Sequence, residues 1–442
     1  MGLEAQCWKS YDGKHDIIHG MKRLALRGVL AAVLVLAGVA AGDALAQTRL
    51  RVFAGGLSHR PELIRKLFDQ YHAAAPGVTI EIETGGATSE LQRQYLSTVL
   101  NAKDASIDVF MIDIVNPAQY FGAGWLEPLN AYVGDPAVAM KPYLPAYAMA
   151  NVIDGRIAAL PAFADAMFMY YRKDLLEKHL LAEPKTWDEL AAAARKIQQG
   201  EGDPNLQGLS IQGAPIEGAV CTFLLPYWSQ GKELHDASGK LTLDKAAAVK
   251  GLNVWLALVD QGVIRRNVAE VRTSDTVNEF MAGQVVFAVN WGFAWDVFKK
   301  GKDSKVAGKV GVMPLPAVAG GRSATCAGGW QWAVSAFSRN KAEAARLVGF
   351  LAGPEASKFL AMEGSLLPTH RGAYADADVI KAVPWLKDAA GVVAGARSRP
   401  ASKDYGQVSD VIRTTTSAVL ARAKKPDEAV DEIAERLRRL AR

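Results

Sequence analysis

The sequence predicts an α/β protein of two lobes, each assembled from separated segments of the chain. Apolar segments between residues 50 and 114 follow the order strand, helix, strand, helix, strand, which is typical of a mostly parallel sheet with helices on both faces. The chain is too long for one compact core. No polar or Pro/Gly-rich linker divides it, although two consecutive domains would usually show one. We therefore expect the chain to cross between the lobes at several short passages.

Residues 21–46 are predicted to be a secretory signal peptide, and residues 1–20 a mis-assigned start. Met21-Lys22-Arg23 is basic, residues 28–42 carry no charge, and Ala44-Leu45-Ala46 is an A-x-A cleavage site. An uncleaved membrane anchor is the alternative, but the apolar segment is shorter than the ~20 residues that a membrane span needs. No Cys lies at the cleavage site, which argues against a lipid anchor. We expect a free periplasmic protein of 396 residues (442 − 46).

The spacing of apolar residues predicts the elements at the start of the exported chain. Short apolar runs or alternating apolar residues predict strands at 50–53, 78–82 and 108–114. A first helix begins near residue 61 and a second spans about 89–101. The first helix should bury one face, which is made of Leu63, Ile64, Leu67, Phe68 and Tyr71.

The remaining chain alternates strands and helices. Strands are predicted at 157–160, 167–171, 283–289, 310–315 and 328–335, and helices at 173–200, 244–262, 341–351 and the C-terminus. Thr186 with Glu189 and Asn340 with Glu343 are expected to cap two of these helices. Pro161 should break the first pair of strands. Crossings near residues 161, 314–316 and 366–368 predict an N-terminal lobe of 47–162 plus 315–366 and a C-terminal lobe of 163–314 plus 367–442.

Composition and missing motifs argue against several classes of function. The formal net charge is +5 and no basic run is dense enough to indicate nucleic-acid binding. The chain has no G-x-x-x-x-G-K-[ST], H-E-x-x-H or G-x-S-x-G motif. No two histidines have the spacing of metal ligands, so we expect neither metal nor cofactor. Cys221 and Cys326 could form a disulfide in the periplasm, but two buried free thiols are the favoured interpretation.

Residues 155–190 carry a family resemblance. They contain Ala159-Leu160-Pro161, Asp165, Tyr170-Tyr171-Arg172-Lys173-Asp174 and Pro184-Lys185-Thr186-Trp187-Asp188. This order of motifs resembles the family 1 extracellular solute-binding proteins, the sugar-binding receptors of bacterial ABC importers, and among them the trehalose- and maltose-type receptors. The resemblance extends over nearly the whole mature chain. It implies a maltose-binding-protein-like periplasmic binding fold, a ligand cleft between the lobes and a membrane permease as partner. We expect a monomer without catalytic activity.

A sugar receptor needs aromatic rings for the C–H faces of the sugar and fixed polar partners for its hydroxyls. Asp113 ends a strand, where the family has an aspartate that lines the cleft; a helix cap is the alternative. Asp165 matches a ligand-binding aspartate of similar receptors, which often carry Tyr or Trp where this chain has Phe163. Trp291 lies in a segment similar to the family's N-W-x-x-A-W and is the main stacking candidate.

Further candidates lie in two later segments. Gly328 would let the backbone approach a ligand closely, and Trp330 would stand at the mouth of the cleft. Trp332 shares a strand face with Trp330, so core packing is the alternative for one of the pair. Arg399 resembles the arginine of the R-P motif in trehalose-type receptors and could hold hydroxyls with two nitrogens, while an exposed surface arginine is the alternative.

Four candidates are weaker. Trp295 lies one helical turn after Trp291, so core packing explains it equally well. Glu217 lies in Q-G-A-P-I-E-G, which is similar to the family's Q-G-x-x-Y-E-G-L, and a structural role is favoured over ligand binding. Ser58 follows the first strand and Arg93 lies in the second helix, where both could face a cleft.

The predicted function is a periplasmic substrate-binding component of an ABC importer. It would bind a disaccharide such as trehalose or maltose and deliver it to a permease. One alternative is a receptor of the same fold for another solute, such as glycerol phosphate or another oligosaccharide. A second alternative is an exported glycoside hydrolase that uses Asp113 or Asp165 as a catalytic carboxylate.

Overall fold

The computed structural model describes residues 47–441. The predicted signal peptide at 21–46 and the predicted mis-assigned start at 1–20 lie outside the described residues. Within 47–441, no helix is long and apolar enough to cross a membrane.

One mixed sheet of eight strands runs through the molecule in the order β2-β1-β3-β10-β6-β8-β7, and β9 also pairs with β6. β1 and β3 are parallel, as are β7 and β8, whereas β10 is antiparallel to both β3 and β6. The expected mostly parallel sheet therefore holds for the first strands but not for the whole. The strands are β1 Thr48–Phe53, β2 Val78–Glu83, β3 Val109–Asp113, β4 Val152–Ile153, β5 Arg156–Ile157, β6 Leu160–Arg172, β7 Gln207–Ser210, β8 Val285–Trp291, β9 Val310–Met313 and β10 Ala327–Val334.

Helices cover both faces of this sheet and form the outer layers. They are α1 Pro61–Ala74, α2 Ser89–Asn101, α3 Pro117–Gly122, α4 Asn130–Val133, α5 Pro136–Ala139, α6 Pro145–Ala150, α7 Lys173–Lys178, α8 Trp187–Glu201, α9 Glu217–Ser229, α10 Lys245–Asp260, α11 Thr273–Met281, α12 Ala294–Lys300, α13 Lys341–Leu351, α14 Pro354–Gly364, α15 Ala377–Ala382, α16 Leu386–Ala394, α17 Tyr405–Leu420 and α18 Pro426–Leu440. Short 3-10 helices span Leu57–His59, Val268–Glu270 and Arg371–Ala375.

Several helices agree with the sequence prediction. The buried residues of α1 are the five that were predicted to form its apolar face. The Thr186 hydroxyl accepts a hydrogen bond from the backbone N–H of Glu189 at 3.2 Å, which confirms the cap of α8. Asn340 precedes α13, but its side chain makes no capping hydrogen bond.

One prediction about local structure was wrong, and one helix was missed. Pro161 does not break a strand, because β6 continues from Leu160 to Arg172. Pro161 pairs with Gln331 beside a register shift in β10, and such an irregularity tolerates a residue without an N–H. Helix α9 was missed because all of its residues are buried and Pro226 lies inside it, so it lacks the apolar stripe that marks a surface helix.

Two of the four apolar clusters among the described residues are taken here as the cores of the two lobes. The first core packs β1, β3 and the end of β10 against α1 and α13, and includes Val52, Ile64, Val109, Trp332 and Leu347. The second core packs β7 and β8 against α8, α9, α10 and the last two helices, and includes Leu190, Leu209, Trp255, Val289 and Ile412. Each lobe is thus built from separated segments of the chain.

Three passages of the chain lie side by side at Ala164, between the two cores. Ala164 of β6 pairs with Gly329 of β10, and its N–H donates to the carbonyl of Leu367 at 2.8 Å. Gly329 has φ +115°, and a Cβ there would lie 2.6 Å from the carbonyl oxygen of Phe163. Only glycine fits this position, so the close approach of β6 and β10 depends on it.

Residues near the predicted lobe limit at 315 pack in different apolar clusters. Leu315, Val318 and Cys326 belong to the second core, whereas Trp332 and Val334 belong to the first. The lobe limit near residue 315 nevertheless stays a prediction. The other lobe limits are likewise predictions.

Cys221 and Cys326 form a disulfide, so the expectation of two free thiols was wrong. Their Cα atoms are 5.8 Å apart, which is within the range that a disulfide spans. Both residues belong to the second core. The bond ties α9 to the residue that precedes β10, and it does not clamp one core to the other.

Candidate functional site

Arg399, which precedes α17, is the centre of a buried ionic cluster. Its side chain is 1% exposed, so the alternative of a surface arginine was wrong. Its guanidinium donates to Glu217 Oε1 at 2.8 Å and to Asp113 Oδ1 at 3.2 Å. Asp113 ends β3 of the first lobe and Glu217 begins α9 of the second. The cluster therefore joins charged groups from both lobes.

The charges in this cluster perturb one another. Burial disfavours the charge of Arg399, but Asp113, Tyr405 and Glu217 outweigh burial and raise its pKa, so it remains a cation. Burial raises the pKa of Asp113, and Arg399 opposes that rise. Arg399 is thus the group that permits two carboxylates to lie buried beside each other.

Glu217 is held by several donors. Its Oε2 accepts from the Ser409 hydroxyl at 2.6 Å, and its Oε1 accepts from the Tyr405 hydroxyl as well as from Arg399. It is also the first residue of α9, where the positive end of the helix dipole favours a carboxylate. Protein groups therefore occupy much of its hydrogen-bonding capacity, which supports the structural role that the sequence favoured.

Asp113 is anchored by local contacts as well as by Arg399. Its Oδ2 accepts from the Ser89 hydroxyl at 2.8 Å, and its Oδ1 accepts from the backbone N–H of Val115 at 3.4 Å. The helix that follows begins at Pro117, after Asn116. Asp113 is therefore not the cap of this helix, which was the alternative to a place in the site.

Trp291 lies beside the ionic cluster at the end of β8. Its ring packs against the backbone of β10, because a Cβ on Gly328 would lie 2.6 Å from Trp291 Cζ3. The Arg399 guanidinium carbon is 6.0 Å from the centre of the ring. The Tyr170 hydroxyl donates to the Trp291 carbonyl at 2.8 Å. The partly exposed Trp291 indole therefore lies next to the buried charges of the Arg399 cluster.

Asp165, opposite Gly328 in the sheet, holds the turn that follows Trp291. Its Oδ1 accepts from the backbone N–H groups of Gly292 at 2.6 Å and Ala166 at 2.8 Å. Burial raises the pKa of Asp165 to about 7, although these two N–H groups oppose the rise. One oxygen of the carboxylate therefore positions Trp291.

Trp330 lies in β10 between Asp113 of β3 and Phe163 of β6. Its ring meets the His59 ring edge-on, with centroids 3.9 Å apart. His59 is buried, and burial lowers its pKa to about 4, so it is neutral. Phe163 is 3% exposed and packs in the first core, and Trp332 is fully buried there. Trp330 is thus the partly exposed member of the tryptophan pair.

The remaining candidates differ in their surroundings. Arg93 joins the cluster, since its Nη1 is 3.9 Å from Glu217 Oε2. Trp295 stacks on Trp385 with centroids 5.3 Å apart, which is the core packing given as its alternative. Ser58 is exposed in the 3-10 helix Leu57–His59, and the neighbouring His59 makes the contact with Trp330.

Sequence reasoning missed four polar side chains that contact the candidate residues. Ser89, Tyr405 and Ser409 hydrogen-bond the two carboxylates, and His59 touches Trp330. Tyr405 and Ser409 are four residues apart on one face of α17, which was the one available signal. That spacing shows a shared face but does not reveal which carboxylate the face meets.

The fold and this cluster define a two-lobed binding protein, and three comparisons agree. A family model described as bacterial extracellular solute-binding protein matches residues 57–358. The chain is 35% identical over 377 residues to the Probable ABC transporter-binding protein of Deinococcus radiodurans, which covers 83% of this chain and 88% of that protein. The maltose-bound structure of T. maritima MalE3 is 34% identical, with a TM-score of 0.83, covering 89% of this chain and 100% of that one.

A more distant relative is the mannitol-binding protein of Pseudomonas aeruginosa, which is 25% identical over 293 residues, or 64% of this chain and 63% of that protein. The chain belongs to the bacterial extracellular solute-binding protein family. It is the substrate-binding component of an ABC transporter. This confirms the resemblance on which the sequence prediction rested.

Proposed function

We propose that this chain binds a sugar between its two lobes and delivers it unaltered to a membrane permease. The expected ligand is a disaccharide such as maltose or trehalose. The observation that carries this proposal is the meeting of the Trp291 ring with the Arg399, Asp113 and Glu217 cluster, to which both lobes contribute. An indole suits the C–H face of a sugar ring, and charged groups suit its hydroxyls.

The relatives support the same class of ligand. The similar T. maritima structure holds maltose, and the Pseudomonas relative is named for mannitol. Both are neutral molecules rich in hydroxyl groups. We infer export through the predicted signal peptide at 21–46, a periplasmic location without a lipid anchor, and a monomer that works with permease subunits.

The charge of the cluster argues against one alternative. Arg399 already pairs with two carboxylates, and Arg93 faces Glu217. A phosphate group would be repelled by Asp113 and Glu217, and the charge of Arg399 is already balanced by both carboxylates. We therefore expect glycerol phosphate to be a less suitable ligand than a neutral sugar.

A thermal-shift screen tests the proposal with maltose, trehalose, glucose, mannitol and glycerol 3-phosphate. A ligand at 100 times its dissociation constant should stabilise the protein by about 2.7 kcal/mol. Stabilisation by maltose or trehalose supports the proposal, and no response to any of the sugars contradicts it. Recovery of the bound sugar after incubation tests the glycoside hydrolase alternative, because release of glucose from maltose would show catalysis.

A further inference from the structure

The first turn of α2 carries a carboxylate without a hydrogen-bond partner. Both oxygens of Glu90 are buried, and neither has a donor in hydrogen-bonding geometry within residues 47–441, although the Thr88 hydroxyl is close enough to lower its pKa. Arg93 lies three residues later on the same side of the helix. Its Nη1 is also buried and makes no hydrogen bond within those residues. An acceptor and a donor, both unsatisfied, therefore project from one helix face of the first lobe.

Such groups are rare in folded proteins. A buried polar group that lacks its hydrogen bond destabilises the fold, and a charged group does so more strongly. Burial and the charge of Glu217 raise the pKa of Glu90, against the opposing effects of Thr88 and Arg93. A ligand that donates to Glu90 would remove this penalty. Unpartnered polar atoms of this kind suit a ligand-binding role better than a role in the fold.

The surroundings of the pair restrict the chemistry of that ligand. Arg93 Nη1 is 3.9 Å from Glu217 Oε2, which is too far for a hydrogen bond. An oxygen at about 2.8 Å from each atom would satisfy both. A hydroxyl group can accept from Arg93 and donate to a carboxylate at the same time. An anion would be repelled by Glu90 and Glu217, and a cation by Arg93 and Arg399.

We propose that Glu90 and Arg93 are a hydroxyl-binding pair for a neutral sugar or polyol, contributed by the first lobe opposite Glu217 and Arg399. This inference rests on the proposed function and adds specificity to it. Sugar hydroxyls would complete the hydrogen bonds of Glu90 and Arg93. The pair selects against anionic solutes.

The test compares Glu90→Gln and Arg93→Gln with two matched controls. Glu355→Gln removes the same charge from the second position of α14, as Glu90→Gln does in α2. Arg65→Gln removes the same charge from the fifth position of α1, as Arg93→Gln does in α2. Both control residues are exposed. Isothermal titration uses maltose, trehalose, glucose and mannitol on the full chain, and urea unfolding of the ligand-free protein is measured in parallel.

The inference predicts that Glu90→Gln and Arg93→Gln weaken binding of the preferred sugar at least tenfold, while the controls stay within twofold of wild type. Ligand-free Glu90→Gln should be as stable as wild type or more so, because an unpaired buried charge has gone. A wild type that binds sugar and a Glu90→Gln variant that binds it equally well contradict this inference alone. Loss of unfolding stability in Glu90→Gln would also overturn it, since that indicates a structural role. A wild type that binds none of the four sugars contradicts the proposed function itself.

Discussion

Substitution of Arg399 by methionine tests whether the ionic cluster is held together by this single cation. The side chain is 1% exposed and pairs with Glu217 at 2.8 Å and with Asp113 at 3.2 Å. Methionine removes the charge and leaves two buried carboxylates beside each other. Removing one partner of a buried ion pair typically destabilises a protein by about 3–5 kcal/mol. We expect a loss of that size in the free energy of unfolding, followed by tryptophan fluorescence in urea.

The same variant makes a prediction about pH. Burial already raises the pKa of Asp113, and the loss of Arg399 removes the charge that opposes the rise. A carboxyl group whose folded pKa is raised contributes stability at low pH and loses it as pH rises. The deficit of Arg399→Met should therefore be smaller at pH 5 than at pH 8.

The control is Arg439→Met, which removes an exposed arginine paired with Glu435 on the last helix. Such surface pairs contribute less than about 1 kcal/mol. The reasoning would be refuted if Arg399→Met lost no more stability than Arg439→Met, or if its deficit were the same at both pH values.

Three further predictions follow from the site and its supports. Trp291→Ala should weaken maltose binding about tenfold, or about 1.4 kcal/mol, whereas Trp295→Phe should leave the dissociation constant unchanged; titration calorimetry measures both. The double variant Cys221→Ser, Cys326→Ser should lose about 2–5 kcal/mol of unfolding stability in urea, because the bond closes a loop with a separation of 105 residues; equal stability of the two proteins would contradict this. Wild type should lose unfolding stability as the pH rises from 5 to about 7 and level off above pH 7, because the folded pKa of Asp165 is raised to about 7. Asp165→Asn should lack this loss. Parallel pH profiles of the unfolding free energy for the two proteins would contradict the prediction.

Elements whose apolar residues recur at a regular spacing were predictable from the sequence. Helix α1 repeats its apolar residues at helical spacing, and that face is the one it buries. Helix α9 was not predictable in this way, since it is buried on every side and contains Pro226. Pro161 was misjudged because sequence alone does not show that its partner strand is irregular at that point. The spacing of apolar residues thus predicts elements that have one solvent-exposed face. It misses elements that the tertiary structure buries completely.

The candidate site was predictable only in part, for a related reason. The residues that the family resemblance supplied include Asp113, Trp291 and Arg399, and these lie together. The partners Tyr405 and Ser409 are 188 and 192 residues from Glu217 in the chain, so no local pattern could link them. Glu90 looked like an ordinary acidic residue in a first helical turn, and only its missing hydrogen bonds mark it out.

A crystal structure of the chain grown with maltose tests the central claim most directly. We predict an intact disaccharide that touches the Trp291 ring and hydrogen-bonds at least one charged group from each lobe. Maltose bound elsewhere on the surface, or a site between the lobes that stays free of sugar at saturating concentration, would contradict the account.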